Sequence, residues 1–127
     1  MALTLEMGLK SVITGNAPIA ALISGRCYPM HLPQSPTLPA ITYRRISAPP
    51  SRVFGDRAFT TARYQITAWA ATIIGAQTLG DALIVLFDDF VGTMSTVNVS
   101  GTVLNDIPLF DDETTRAAYV VDVELWY

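Results

Sequence analysis

The sequence is short of the residues that do chemistry. One cysteine, Cys27, and one histidine, His31, stand in 127 residues. A single thiol excludes an internal disulfide and any multi-cysteine metal site. With the one histidine four residues away in a proline-rich stretch, a histidine-based catalytic triad lacks its members, and Cys27 reads as a packing residue. The eight glycines are scattered, with no dinucleotide-binding or P-loop spacing among them. Charge is scarce too: 15% of residues are charged and 50% are hydrophobic. That balance is poor in polar surface for a small independent monomer, so some apolar surface is expected to meet a partner. Long apolar runs are absent; none approaches the ~20 residues that span a bilayer. The opening MALTLEMGLK lacks the charged start and apolar middle of a signal peptide. A soluble protein made in a cytoplasm, without a membrane partner, is the expectation.

What charge there is lies in two blocks. Residues 26–63 carry Arg26, Arg44, Arg45, Arg52, Arg57 and Arg63 against Asp56 alone. Residues 81–127 carry Asp81, Asp88, Asp89, Asp106, Asp111, Asp112, Glu113, Asp122 and Glu124 against Arg116 alone. Such a division suits a subunit whose basic side meets the acidic side of a neighbour, as in the head-to-tail contacts of a ring. A fold that interleaves the two halves would cancel it. The six arginines also invite nucleic acid, through counterion release from a phosphate backbone. A pI near 4.8 argues against a dedicated DNA binder.

The length suits one domain, residues 1–127, with one core. Leu5, Leu9, Val12 and Ile13 form one apolar stripe, which predicts an opening helix ending near Thr14 or Gly15. Asn16 then caps a second short helix, with Pro18 in its first turn, Ile19, Leu22 and Ile23 facing inward, and Gly25 at its end. The four prolines between Pro29 and Pro39 predict an irregular extended connection. Ala40–Ser47 reads as a strand with Ile41 and Tyr43 on one face and Thr42 and Arg44 on the other. A polar loop, Ala48–Arg57, leads to a second strand, Ala58–Ala71, where Ala62, Tyr64, Ile66 and Ala68 alternate with Arg63, Gln65 and Thr67. Thr72 caps a helix to about Asp89, whose stripe is Ala76, Leu79, Leu83, Leu86, Phe87 and Phe90; Gly75 and Gly80 suit close packing on a sheet. Strands over Thr93–Leu104 and Thr115–Tyr127 finish the chain. The order ααββαββ predicts an α+β fold, a mainly antiparallel sheet with helices packed on one face.

Two groups of residues call for a second reading. Asp88–Asp89 and Asp111–Glu113 offer oxygens for a divalent cation, but adjacent carboxylates point in different directions and calcium-loop spacing is missing. They read as a solvated helix end and a solvated turn. Trp69 falls on the polar side of its strand. It is either packed beneath a helix on the sheet's second face or an interface anchor, and Trp126, beside Asp122 and Glu124, poses the same question.

The segment Pro33–Tyr43, preceded by Tyr28-Pro29 and containing Pro33-Gln34, is followed by Arg63, Gln65, Ile66, Trp69 and Ala70 ahead of a helix. This pattern resembles the small phage tail-completion proteins, over about residues 5–90, with Thr67-Ala68 standing where an acidic residue and a valine are commoner. The resemblance implies a tail-terminator-like subunit: a virion protein forming a ring, commonly a hexamer, at the head-proximal end of the tail. It implies as partners the chain itself, the tail tube protein and a head–tail connector protein, with DNA only passing through the lumen and assembly in the host cytoplasm. The family pattern carries no catalytic residue and no cofactor. Another connector or tube component of the same particle, or an unrelated small binding module, are the competing readings. Interface residues expected from charge and exposure are Arg44, Arg45, Arg52, Phe54, Arg57, Arg63, Trp69, Asp111, Asp112 and Glu113, with the Ala48–Arg57 tip contacting a neighbour or the tube.

Overall fold

The computed structural model describes the backbone of residues 2–47, 50–53, 56–94, 97–111 and 116–127, and the side chains of residues 6–46, 61–94, 98–110 and 116–127. Helix α1 (Ala2–Gly15) buries Leu9 and Ile13 completely, as the stripe requires. Helix α2 (Ala17–Ile23) starts under Asn16, whose side-chain oxygen accepts from the Ile19 N–H at 3.3 Å, a bond that satisfies one of the helix's free donors. It stops where Ser24 and Gly25 turn left-handed, at φ 49° and 82°. Arg26 then fastens this end to the following strands: its Nε donates to the Pro39 carbonyl at 2.9 Å.

Four strands follow: β1 (Cys27–Pro29), β2 (Ala40–Ser47), β3 (Pro50–Val53) and β4 (Asp56–Ala70). Helix α3 (Ile73–Phe87) comes next, begun by Thr72, whose hydroxyl accepts from the Gly75 N–H at 3.0 Å. Strands β5 (Phe90–Met94), β6 (Val97–Asp111) and β7 (Arg116–Trp126) complete the fold. The sheet order is β1-β2-β4-β7-β6-β5, with β3 paired to the far end of β4. The two expected central faces are as the alternation requires: Ala62, Ile66 and Ala68 are wholly buried and Tyr64 nearly so. All three helices sit over this face, in one core with Ile41, Val121, Val123 and Leu125. Each such leucine or isoleucine contributes about 1.5–3 kcal/mol by leaving water. No helix among the described residues is long and apolar enough to cross a membrane.

Five expectations are corrected. The sheet is mixed rather than mainly antiparallel, because β1 lies parallel to β2 (Cys27 beside Ile41) within the stretch read as irregular. The order ααββαββ becomes ααββββαβββ. The single strand expected over Thr93–Leu104 is two strands, β5 ending at Met94 and β6 starting at Val97 and pairing back on it. The polar loop is largely ladder: β3 pairs with β4, Pro50 opposite Thr60 and Val53 opposite Asp56. Phe90, expected on the α3 stripe, opens β5 instead and keeps its place against the core, 5.9 Å from the Phe87 ring.

Two glycines set how closely helices meet strands. A Cβ on Gly80 would lie 2.6 Å from Cγ of Tyr119 on β7, and one on Gly8 would lie 2.5 Å from the Met94 carbonyl carbon on β5. Backbone cannot swing aside, so Gly8→Val forces α1 off β5. A loss of about 1–3 kcal/mol is expected, whereas Gly15→Ala, with nothing within 4 Å of its Cβ, leaves the thermal midpoint unchanged or slightly raised; paired melting curves check both.

Candidate functional site

The face of the sheet away from the helices is built by the residues that alternate with the core. From β2 come Thr42 and Arg44, from β4 Arg63, Gln65, Thr67 and Trp69, and from β7 Ala118, Val120, Asp122, Glu124 and Trp126. Its polar groups are tied to one another within the sheet. The Trp69 indole N–H donates to Thr42 Oγ1 at 2.9 Å, and Arg44 Nη2 donates to Gln65 Oε1 at 2.6 Å. Arg63 Nη2 lies 3.8 Å from Asp122 Oδ2, a half-exposed pair worth little in stability but fixed in place. Met30, Leu109, Val120 and Trp69, with Thr42, Arg44 and Gln65, line a shallow hollow of mixed polarity of about 250 Å³.

Trp69 is therefore not packed beneath a helix; the described helices all cover the opposite face. It is half-buried on an open face, with its one donor satisfied. The two charge blocks also meet inside the subunit here, Arg63 being the register partner of Glu124 and the ion-pair partner of Asp122. Arg44 and Arg45 escape that cancellation: both are exposed near the β2 flank, Arg44 on the open side and Arg45 on the helix side. Arg52 and Arg57 occupy register partners in the β3–β4 ladder, with side chains outside the described residues. Phe54, Asp112 and Glu113 lie outside the described residues altogether, and Asp111 is the last residue of β6, its side chain likewise outside.

The surface that sequence reasoning missed is β6 beyond Val103. Leu104, Ile107, Leu109 and Phe110 are 44%, 45%, 55% and 48% exposed. Leu109 and Phe110, with Pro108, border a groove of about 150 Å³ against Ile73 and Gln77 of α3. The Tyr119 hydroxyl donates to Asp106 in this stretch, and that bond, with some burial, pushes the tyrosine up to about 12. The apolar alternation of Ile107 and Leu109 was a visible signal; Pro108 concealed it, since a proline reads as a strand's end although edge strands tolerate it.

Cys27 is 1% exposed, and burial pushes its thiol up to about 11, away from the reactive thiolate. His31 is exposed on the loop after β1. Among the described residues no three of histidine, cysteine, aspartate and glutamate come together as a metal site.

Solved structures share this architecture. A chain from the virion of a native gene transfer agent particle superposes with a TM-score of 0.73 at 13% identity, over 98% of this chain and 95% of that one. A second solved chain gives 0.67 at 15% identity, over 99% and 94%. No curated protein sequence matches. The model of the family described as tail completion protein gp17 matches residues 9–127, from the core of α1 through the last strand. A fold open on one face and along its edges thus coincides with a sequence match over nearly its whole length, and the chain belongs to the tail completion protein gp17 family, structural proteins of phage tails.

Proposed function

We propose that this chain acts as a tail terminator: one domain, residues 1–127, that assembles with copies of itself into a hexameric ring at the head-proximal end of the tail tube. The ring ends tube polymerisation and gives a head–tail connector protein its docking surface, and DNA passes through its lumen. Assembly takes place in the host cytoplasm. The observation that carries this reading is the family match across residues 9–127. The surface is consistent with it, because contiguous exposed apolar side chains on a small protein mark a contact waiting for its partner. An overall pI near 4.8 argues against a dedicated nucleic-acid site.

Light scattering across concentration and ionic strength tests the ring. The reading predicts a discrete species near six times the 13.8 kDa chain mass, formed alone or on addition of tail tube protein and weakened by salt. A monomer indifferent to both contradicts it. The β3–β4 tip is a further contact in this scheme. Arg52→Ala with Phe54→Ala is expected to leave the melting temperature within a few degrees and to lower the yield of joined particles at least tenfold; unchanged infectivity removes the tip from the interface.

A further inference from the structure

The two broad sides of the fold carry different unsatisfied surfaces. One is the outer surface of α3. Opposite the stripe that packs on the sheet, Ile74, Thr78, Asp81 and Val85 recur at the spacing that aligns side chains on one helix face. All four are exposed, Ile74 by 76% and Val85 by 80%. These two aliphatic side chains add nothing to the chain's own core. The Asp81 carboxylate between them has no cation beside it, since the ion pair among the described residues joins Arg63 to Asp122.

The other is the open face of the sheet. Its hollow runs across β2, β4 and β7, with Met30 at one rim and Leu109 of β6 at the other. The floor is shaded by these rims: Thr42, Thr67, Ala118 and Val120 are at most 8% exposed although no described helix covers them. So narrow a hollow takes protruding side chains and not the body of a helix. Its floor asks no hydrogen bond of a guest, because the Trp69 indole already donates to Thr42. Arg44 lines the same hollow, exposed, with one guanidinium nitrogen on Gln65 and its other donors left for a carboxylate.

Direction and length agree. Helix α3 starts at the Trp69 end of the sheet, where Ile73 borders the groove with Leu109 and Ala118, and ends just before Phe90, which lies beside Gly101 towards the other end. In a cyclic ring whose axis follows the strands, all copies point the same way, so a neighbour's α3 runs in that same sense past the open face. Trp69, Ala118 and Leu109 form one row across the sheet. Ile74 placed on that row puts Asp81 about 10 Å further along, at ~1.5 Å per helical residue. Arg44, the register partner of Gln65, is four strand residues from the row, or about 13 Å at ~3.3 Å each. The difference lies within the reach of an arginine side chain.

We infer that the subunits stack face to back, the outer stripe of α3 on one copy entering the open-face hollow of the next, with Ile74 at the Trp69 end and Asp81 meeting Arg44. Because the two surfaces lie on opposite sides of a two-layer fold, the contact is heterologous and passes from copy to copy. It joins a cation of the basic block to a carboxylate of the acidic block, the pairing that internal cancellation at Arg63 leaves open. This assignment rests on the ring reading and names the interface that builds it.

Two differently tagged pools test it, one carrying Met30→Cys on the rim and the other Thr78→Cys in the stripe, co-assembled and treated with a short bis-maleimide. Both positions are exposed, and buried Cys27 leaves the background silent. Cross-pool dimers are expected to exceed within-pool dimers at least tenfold. In addition, Arg44→Glu is expected to lower the ring-sized species at least tenfold and Asp81→Arg in the same chain to restore it. A ring that forms from the cysteine pools without cross-pool preference, or that is indifferent to Arg44→Glu, overturns the face-to-back assignment and leaves the ring standing. If the unmodified chain forms no ring even with tail tube protein present, both fall together.

Discussion

Ten consecutive residue pairs join β4 to β7, from Thr61 opposite Trp126 to Ala70 opposite Ala117. Everything else in the subunit is placed by that ladder. It brings the last strand of the chain into the middle of the sheet, puts β2 on one flank and β6 on the other, and gives the helices one continuous apolar floor. Its register is enforced by burial: a slip of one residue would turn Arg63 and Gln65 into the core and expose Tyr64 and Ile66. The paired residues lie 47 to 65 positions apart in sequence, from Ala70–Ala117 to Thr61–Trp126, so the fold closes only once the C-terminal strand is in place.

One-sided coverage follows from the same alternation. Three helices are enough to bury one face of this sheet, with Gly8 and Gly80 allowing them to settle against Met94 and Tyr119. The other face is left to Trp69, Thr42, Arg44 and Gln65, which satisfy each other without a covering layer. The β6 flank is left with four exposed apolar side chains and an unpaired edge. For a lone enzyme these would be liabilities, since open apolar edges promote association. In a subunit of a phage tail they are the surfaces on which the proposed assembly draws.

Much of this was legible in the chain. Periodicity of 3.6 located α1, α2 and α3, and the side-chain acceptors Asn16 and Thr72 marked two of their starts, because caps are decided by local hydrogen bonding. Period two located β2, β4 and β7 and sorted the faces of β2 and β4 correctly. What escaped was decided by distant contacts. Cys27–Pro29 becomes a strand only because β2 lies beside it; β5 is a strand of its own because it pairs back on β6; and β6 continues through Pro108 because β7 pairs with it on one side. The interface candidates divide on the same line. Arg44, Arg45, Arg63 and Trp69 could be singled out by charge and face, but whether an arginine is spent on an internal aspartate, as Arg63 is, depends on strand order, which residue spacing does not encode. The exposed run Leu104–Phe110 was hidden for the same reason, since a strand is known to be an edge only when its neighbours are known.

The central claim is that this chain caps the tail and joins it to the head. Electron microscopy of particles assembled without it tests that claim most directly. The account predicts tails of uncontrolled length lying apart from filled heads, with normal length and joining restored when the purified chain is present during assembly. Tails of normal length, joined to heads in its absence, would contradict it.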